Sequence, residues 1–316
     1  MKIQSALVLG CLGQDGSLLS QSLLRKGYKV TGLARSVDKD HSNLEKLGIE
    51  KEVNLVIGNV ENYDLLEKLI LDSEPYEIYN LAAQSAVGKS FIEPLRTFNS
   101  VAKGTLNILE IARKTNFEGR IFFAGSSEIF GNTKEPADLN YPQDAKSPYA
   151  IAKQTSLNLV RMYRDLYNIN CCTGILFNHE SSLRSSTFVT QKIIKAAKDI
   201  ERDKTKKIEL GNINIIRDWG WANEYVEAMQ FITNAVEIND QIICTGEGHS
   251  LKEYISKVFS HFNMNWQDHI VINKNLYRPA DIAISVGNPQ KLYEDLGWKA
   301  KVKFDILIEK MINNSY

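Results

Sequence analysis

Short apolar runs alternate with longer stretches of helical periodicity along most of the chain. Residues 5–9, 29–33, 54–57, 77–81, 119–124 and 171–176 read as strands, and residues 18–26, 63–71, 97–114 and 148–167 as the helices between them. Regular alternation of this kind builds a parallel sheet, because each strand returns to the same end through a crossover, which is right-handed. After Phe177 the pattern loosens. A helix is predicted over 188–207, short strands at 208–211 and 213–216, and a helix at 222–234 introduced by Arg217-Asp218-Trp219-Gly220. A strand at 241–244 rejoins the main sheet, and a helix at 251–262, a turn at Tyr277-Arg278-Pro279 and a closing helix at 304–312 complete the reading. The fold class is therefore α/β, a doubly wound parallel sheet with a smaller, mixed α/β domain.

The first strand runs into Gly10, Gly13 and Gly16, and the helix after them is closed by Gly27. Strand, glycine turn and helix in this order let the backbone approach a pyrophosphate at a helix N-terminus, where free N–H groups and the dipole favour an anion. The sheet then reads as a dinucleotide-binding (Rossmann) domain over residues 1–177 plus about 218–245, and residues 178–217 plus about 246–316 as a substrate-binding domain. The second strand ends at Ala34-Arg35-Ser36. A cation and a hydroxyl stand where a cofactor without a 2′-phosphate usually meets an acid, which favours NADP and leaves NAD as the alternative. Ala82 and Ala83, after the 77–81 strand, let the chain pass close under a cofactor.

Composition narrows the classes further. The chain has 316 residues, enough for two domains, and its 38 basic and 38 acidic side chains leave no net charge. That balance argues against a general binder of nucleic acid or of anionic membranes, and no apolar run approaches the ~20 residues of a membrane span. Cys11, Cys171, Cys172 and Cys244 show neither zinc spacing nor a disulfide framework, and His179 and His249 lack partners at metal-ligand spacing, so no metal site is read. With a start that runs straight into a strand, a reduced, cytoplasmic setting is expected.

Tyr149 and Lys153 lie four apart on the 148–167 helix, hence on one face. An ammonium beside a phenol favours the phenolate, bringing a tyrosine that titrates near ~10 when free toward working range as a base. Ser126 and Glu128 follow the 119–124 strand at its carboxyl end, where parallel sheets carry their ligand groups. The Ser126 hydroxyl can hold the substrate oxygen that Tyr149 addresses, and Glu128 is well placed for chemistry. Lys192, Arg217 and Arg278 are scattered cations able to clamp a diphosphate.

Taken together, these residues resemble the extended short-chain dehydrogenases/reductases that modify sugar nucleotides, and among them the GDP-mannose 4,6-dehydratases. The resemblance runs nearly the whole chain: Gly13-Gln14-Asp15-Gly16-Ser17, the stretch from Glu77 to Ser85, Ser147-Pro148-Tyr149, Asn178-His179-Glu180-Ser181, Phe188-Val189-Thr190 with Lys192, Arg217-Asp218-Trp219-Gly220 and Tyr277-Arg278-Pro279. It implies a Ser126, Glu128, Tyr149 and Lys153 catalytic set. It assigns Gly10, Gly13, Gln14, Asp15, Gly16, Arg35, Asn59, Val60, Leu81, Ala82 and Ala83, with Tyr149 and Lys153, to the cofactor. Ser85, Asn178, Glu180, Lys192, Gly211, Arg217, Arg278 and Asp281 are assigned to a GDP-linked sugar. The implied reaction oxidises C4, eliminates water across C5 and C6 and returns the hydride to C6. A homodimer through the 97–114 and 149–167 helices is the implied assembly, a tetramer less so.

The chain departs from the family pattern in places. Residues 36–47 are abbreviated and lack the serine-rich arm that reaches a neighbouring subunit, Asn59 stands for an Asp, Ala86 for a His, and Leu183-Arg184-Ser185-Ser186 for an Arg-Arg-Gly-Glu-like loop. These changes surround the hexose and the subunit contact, so a GDP-heptose is a second candidate substrate. A GDP-sugar 4-dehydrogenase, 4-reductase or epimerase, and a non-catalytic nucleotide-binding regulator, stand as the alternatives.

Overall fold

The computed structural model describes residues 4–36 and 42–315. Part of the abbreviated 36–47 stretch, residues 37–41, lies outside them. In the first half β1 (Ser5–Leu9), β2 (Lys29–Ala34), β3 (Asn54–Ile57), β4 (Glu77–Asn80), β5 (Arg120–Ala124) and β6 (Cys171–Leu176) alternate with α1 (Gln14–Arg25), α2 (Ser42–Lys46), α3 (Tyr63–Ser73), α4 (Val87–Ile92), α5 (Pro94–Phe98), α6 (Gly104–Lys114) and α7 (Pro148–Tyr167). The second half continues with β7 (Asn178–Glu180), α8 (Val189–Arg202), β8 (Ile208–Leu210), β9 (Ile216–Trp221), α9 (Ala222–Thr233) and β10 (Gln241–Ile243). It ends with β11 (Gly248–Ser250), α10 (Leu251–His261), β12 (Ile270–Ile272), β13 (Ile284–Ser285), α11 (Gln290–Leu296) and α12 (Phe304–Ile312).

Strands buried on both faces explain the doubly wound sheet. Ala6 and Val8 of β1 enter one core with Leu19, Leu23, Tyr225 and Met229, while Leu7 and Leu9 enter another with Leu66, Ile108 and Val160. A strand apolar on both sides needs helices on both sides, which is the setting of a parallel sheet. The seven strands run in the order β10-β6-β5-β4-β1-β2-β3, every neighbouring pair parallel. The chain leaves β1 in one direction and returns to its other side at β4, so a crevice opens between these two strands at their carboxyl ends. A separate core around α8, α10 and α12 takes in Trp219 and Trp221 of β9, and β9 pairs with β7, β11 and β13. Among the described residues no helix is long and apolar enough to cross a membrane.

Three predicted elements come out differently. The 97–114 helix starts earlier, at α5, and passes through one π-helical turn at Asn99–Lys103 into α6. The helix predicted to 207 stops at Arg202, because the Asp203 carboxylate takes the Thr205 N–H and hydroxyl and turns the chain. Residues 213–215 are not strand; Arg217 to Gly220, read as a lead-in to a helix, lie within β9. Asp218 tolerates that buried strand by accepting the Thr245 N–H (2.9 Å), the Thr245 hydroxyl (2.6 Å) and the Gly246 N–H (2.9 Å). Burial still raises its pKa to about 6.

Candidate active site

A cleft of about 380 Å³ lies over the carboxyl ends of β1, β2 and β4. Its floor is the glycine turn. A Cβ on Gly16 would stand 2.2 Å from the Gly10 carbonyl oxygen, so only glycine lets α1 start this close to the strand; one on Gly13 would meet nothing but that oxygen, at 3.3 Å. α1 begins at Gly13 with no capping side chain, so its first N–H groups are left to a ligand. Leu81, Ala82, Ala83 and Ser85 form one wall, Arg35 and Ser36 with Asn59 and Val60 another, and Arg184 closes over the top. The buried Arg184 Nε has no hydrogen-bond partner among the described residues. A bare helix N-terminus beside a guanidinium that has an ion-pair contact with Glu180 but no hydrogen bond at Nε fits a dinucleotide diphosphate.

Proton-transfer groups gather beside this cleft. Ser147 caps α7 by accepting the Ala150 N–H (3.1 Å), and Pro148 opens its first turn, which aims Tyr149 and Lys153 inward. Tyr149 packs with Ala83, Val87, Val101 and Ala152. The Lys153 ammonium donates to the Ala124 carbonyl at 2.6 Å and sits 5.7 Å from the Tyr149 ring centre. The expected lowering of the phenol by this lysine is not what the protein alone produces. Burial pushes Tyr149 up to about 12, with the Ser126 hydrogen bond working the other way, and burial brings Lys153 down to about 8. Desolvation dominates, and the lysine ammonium is spent on the Ala124 carbonyl.

Glu128 follows β5 in a single 3-10 turn, where its N–H donates to Ser126 Oγ at 3.3 Å. Burial raises its pKa, opposed by the positive charges of Arg217 and Arg278 and supported by Asp281. Arg217 is buried, donates to its own neighbour's carbonyl at Ile216 (2.9 Å) and lies 3.8 Å from Asp281. Carboxylate, two guanidiniums and a second carboxylate thus converge from β5, β9 and the segment before β13. Other sequence-predicted substrate residues have contacts of their own within the fold. Glu180 is spent inside the fold, accepting from Thr190 Oγ1 at 2.8 Å with Arg184 Nε at 3.6 Å. Lys192 donates to the Glu209 carbonyl, and Gly211 lies against Leu276, where a Cβ would stand 2.9 Å from its carbonyl oxygen. Asn178 opens β7, half-buried and paired with Trp219.

The sequence model of the GDP-mannose 4,6 dehydratase family matches residues 7–311. The chain belongs to that family. GDP-mannose 4,6 dehydratase 1 of Arabidopsis thaliana is 39% identical over 319 residues, covering 98% of this chain and 88% of the relative. The GDP-mannose 4,6 dehydratase of Homo sapiens is 35% identical, covering 98% and 90%. Among solved structures, the UDP-glucose 4-epimerase of Thermus thermophilus, in complex with NAD, superposes with a TM-score of 0.87 over 98% of each chain at 23% identity. The dTDP-glucose 4,6-dehydratase of Bacillus anthracis, also with NAD, gives 0.86 over 98% of this chain and 96% of its own at 17% identity. At such identities these two share the fold.

In this GDP-mannose 4,6-dehydratase family member, two residues beside the cleft have no assigned place in the sequence reading. His179 donates Nε2–H to Asp15 (2.9 Å) and Nδ1–H to the Phe177 carbonyl (2.7 Å), and it stacks on Tyr225. With an acceptor at each nitrogen the ring is an imidazolium. Burial opposes that charge, but Asp15 holds the His179 pKa above its ordinary value and is itself lowered to about 2. Gln14 reinforces the seam, donating to Asp15 (2.9 Å) and accepting from Ser181 Oγ (2.9 Å). Arg184 is the other; a lone cation in a polar loop has no spacing to mark it, whereas His179 is marked only by its place in the Asn-His-Glu-Ser block.

Proposed function

We propose that the protein is a GDP-sugar 4,6-dehydratase, converting GDP-mannose or a related GDP-manno-sugar to the 4-keto-6-deoxy nucleotide. The observation that carries this reading is the convergence of two separate proton-transfer groups: the buried Tyr149–Ser126–Lys153 set beside the cleft, and the half-buried Glu128 within reach of the charges of Arg217 and Arg278. A dehydrogenase or epimerase needs the first; elimination needs the second as well. Membership in the family and the names of relatives such as those of Arabidopsis thaliana and Homo sapiens support the same substrate class.

A nicotinamide dinucleotide held in the cleft would supply a hydride acceptor that later returns the hydride. The glycine turn and Arg184 hold its diphosphate; Arg35 at the end of β2 favours NADP, with NAD as bound by the related folds the alternative. Tyr149 accepts the proton of the sugar 4-hydroxyl, Ser126 orients that oxygen, and Lys153 keeps Tyr149 in place. Once C4 is a ketone the C5 proton is acidic; Glu128 removes it and the 6-hydroxyl departs with a proton as water, after which C6 regains the hydride taken from C4 and C5 regains a proton, so that the two protons taken up are both given back. Atoms and electrons balance as loss of one water with no net use of cofactor. Arg217 and Arg278, with Asp281 steadying Arg217, face the nucleotide diphosphate.

The same reading divides the chain into a dinucleotide-binding part and a sugar-nucleotide-binding part, and takes the cytoplasm as its location. It also makes the protein a homodimer: Ile92 and Leu95, 80% and 81% exposed, with Leu106, Ile151, Met162 and Leu166, form apolar surface along α4 to α7. Light scattering is expected to report two chains per particle, and a monomer at working concentration refutes the assembly. For the reaction, mass spectrometry of GDP-mannose, and in parallel a GDP-manno-heptose, incubated with protein and NADP is expected to show loss of one water from one of them. Oxidation without water loss would transfer the assignment to a 4-dehydrogenase or epimerase. Glu128→Gln is expected to abolish water loss while bound cofactor is still reduced; equal loss of both sinks the role of Glu128.

A further inference from the structure

Glu128 sits on a turn held by the buried Ile129 and Phe130, yet its carboxylate must be kept at a fixed distance from groups that come from a distant part of the chain. Three residues beyond it, Gly131 takes a left-handed conformation, φ +62°, and a Cβ there would stand 2.6 Å from the Asp144 carbonyl oxygen. This bend delivers Asn132 to the segment that leads into β13. Asn132 Oδ1 accepts two backbone N–H groups, Ala283 at 2.6 Å and Ile284 at 3.2 Å. Two donors facing one atom fix it as the oxygen of the amide. Thr133 continues the seam, its N–H donating to the Ile284 carbonyl (2.9 Å) and its Oγ1 accepting the Val286 N–H (2.9 Å). On the other side Ile284 and Ser285 pair with Ile216 and Arg217 of β9, and Asp281, two residues before Ala283, lies 3.8 Å from Arg217.

These contacts close a ring: Glu128, Gly131, Asn132, Ala283, Asp281, Arg217 and back to Glu128 through the charge that Arg217 places on it. We propose that Asn132 is a positioning residue that sets the distance between the Glu128 carboxylate and the Arg217–Arg278–Asp281 group, and so governs water elimination without governing C4 oxidation. The inference rests on the reading of Glu128 as the C5 base. Asn132 is exposed, as are Ala283 and Ile284, so water can take over the two N–H groups when the amide is removed and the core is untouched. What is lost is geometry. Proton removal is sensitive to displacement of the base by fractions of an ångström, whereas Tyr149 and Lys153 are anchored on α7, outside this ring of contacts.

The test uses Asn132→Leu, which keeps the shape without the acceptor, and Asn132→Asp, whose carboxylate can accept the same two N–H groups. Asn132→Ala replaces the leucine variant if that one does not fold. In single-turnover experiments with GDP-mannose and NADP, reduction of bound cofactor reads C4 oxidation; exchange of C5 hydrogen with deuterated water and formation of the dehydrated product read elimination. Asn132→Leu is expected to slow elimination by about 10- to 100-fold while oxidation and the KM for GDP-mannose stay within about twofold, and Asn132→Asp is expected to recover most of the loss. A parallel fall in oxidation and elimination, or no rescue by aspartate, makes Asn132 a structural residue and overturns the proposal. Glu128→Gln separates the two failures. If it leaves elimination intact, the reading of Glu128 fails first; if it stops elimination while Asn132→Leu behaves as wild type, the positioning role alone falls.

Discussion

Around the glycine turn the charges are answered inside the protein: Asp15 by His179 and Gln14, Glu180 by Thr190 and Arg184. Across the cleft the opposite holds, because the Glu128 carboxylate accepts no hydrogen bond among the described residues, Arg278 is exposed, and Arg217 stands 3.8 Å from Asp281, beyond hydrogen-bond length. The first side is nearly finished before any ligand arrives; apart from Arg184, whose Nε has no hydrogen bond among the described residues, its binding groups are backbone N–H groups set by glycines, and Gln14, Asp15 and His179 hold that backbone. The second is left incomplete, with positive charge that a diphosphate can neutralise and a carboxylate that a substrate C–H can approach. The difference predicts that substitutions on the cofactor side are felt as stability and on the substrate side as chemistry.

The largest expected effect tests the finished side. His179→Leu removes both donors and leaves Asp15 as a partly buried carboxylate without its cation, a loss of about 3 kcal/mol in unfolding free energy. The effect has a defined pH window. His179 has a raised folded pKa, so its contribution is full below its ordinary 6.5 and fades as pH rises through the folded value. Asp15 is lowered from 3.8 to about 2, so its contribution is full above 3.8 and fades as pH falls toward 2. Thermal unfolding followed across pH is therefore expected to show the widest gap between wild type and variant from about pH 4 to 6.5, closing on either side. A gap independent of pH would mean that packing on Tyr225, not the ion pair, is what the histidine contributes.

The contrast between the two sides also accounts for what can be read from sequence. The cofactor side is local: strand, glycines and helix follow one another in a few residues, and α7 announces itself by Ser147, Pro148 and its apolar spacing, so its bounds read directly as Pro148–Tyr167. The substrate side is assembled from β5, β9 and the segment before β13, and nothing in the spacing of Glu128, Arg217 and Asp281 says that they meet. β9 is hidden because Arg217 and Asp218 look like loop residues; Asp218 is buried because Thr245, Gly246 and Gly287 offer donors from far along the chain, and Arg217 because the Ile216 carbonyl and Asp281 face its guanidinium. The inward turn of Glu180 is hidden for the same reason: its partner Thr190 lies on the next helix, and no pattern in the Asn-His-Glu-Ser block shows the carboxylate leaving the substrate side.

The smallest expected effect sharpens the other half of the comparison. Arg278 is exposed, yet its charge holds the Glu128 pKa down against burial. Arg278→Gln removes that support, so the Glu128 pKa rises further and the acid limb of the elimination rate moves to higher pH. Below the limb the carboxyl is protonated and cannot take the C5 proton, so elimination near it falls, by roughly threefold for a charge that water largely screens. C4 oxidation, which depends on Tyr149, keeps its own profile. Because the interaction passes through solvent, raising salt from about 0.1 to 1 M shortens the screening length from about 10 to 3 Å and brings the wild-type limb toward that of the variant. A limb that does not move, or moves to lower pH, would mean that Arg278 does not act on Glu128 through charge. The substrate side would then be as closed to solvent influence as the glycine side, and the contrast between them would lose its physical basis.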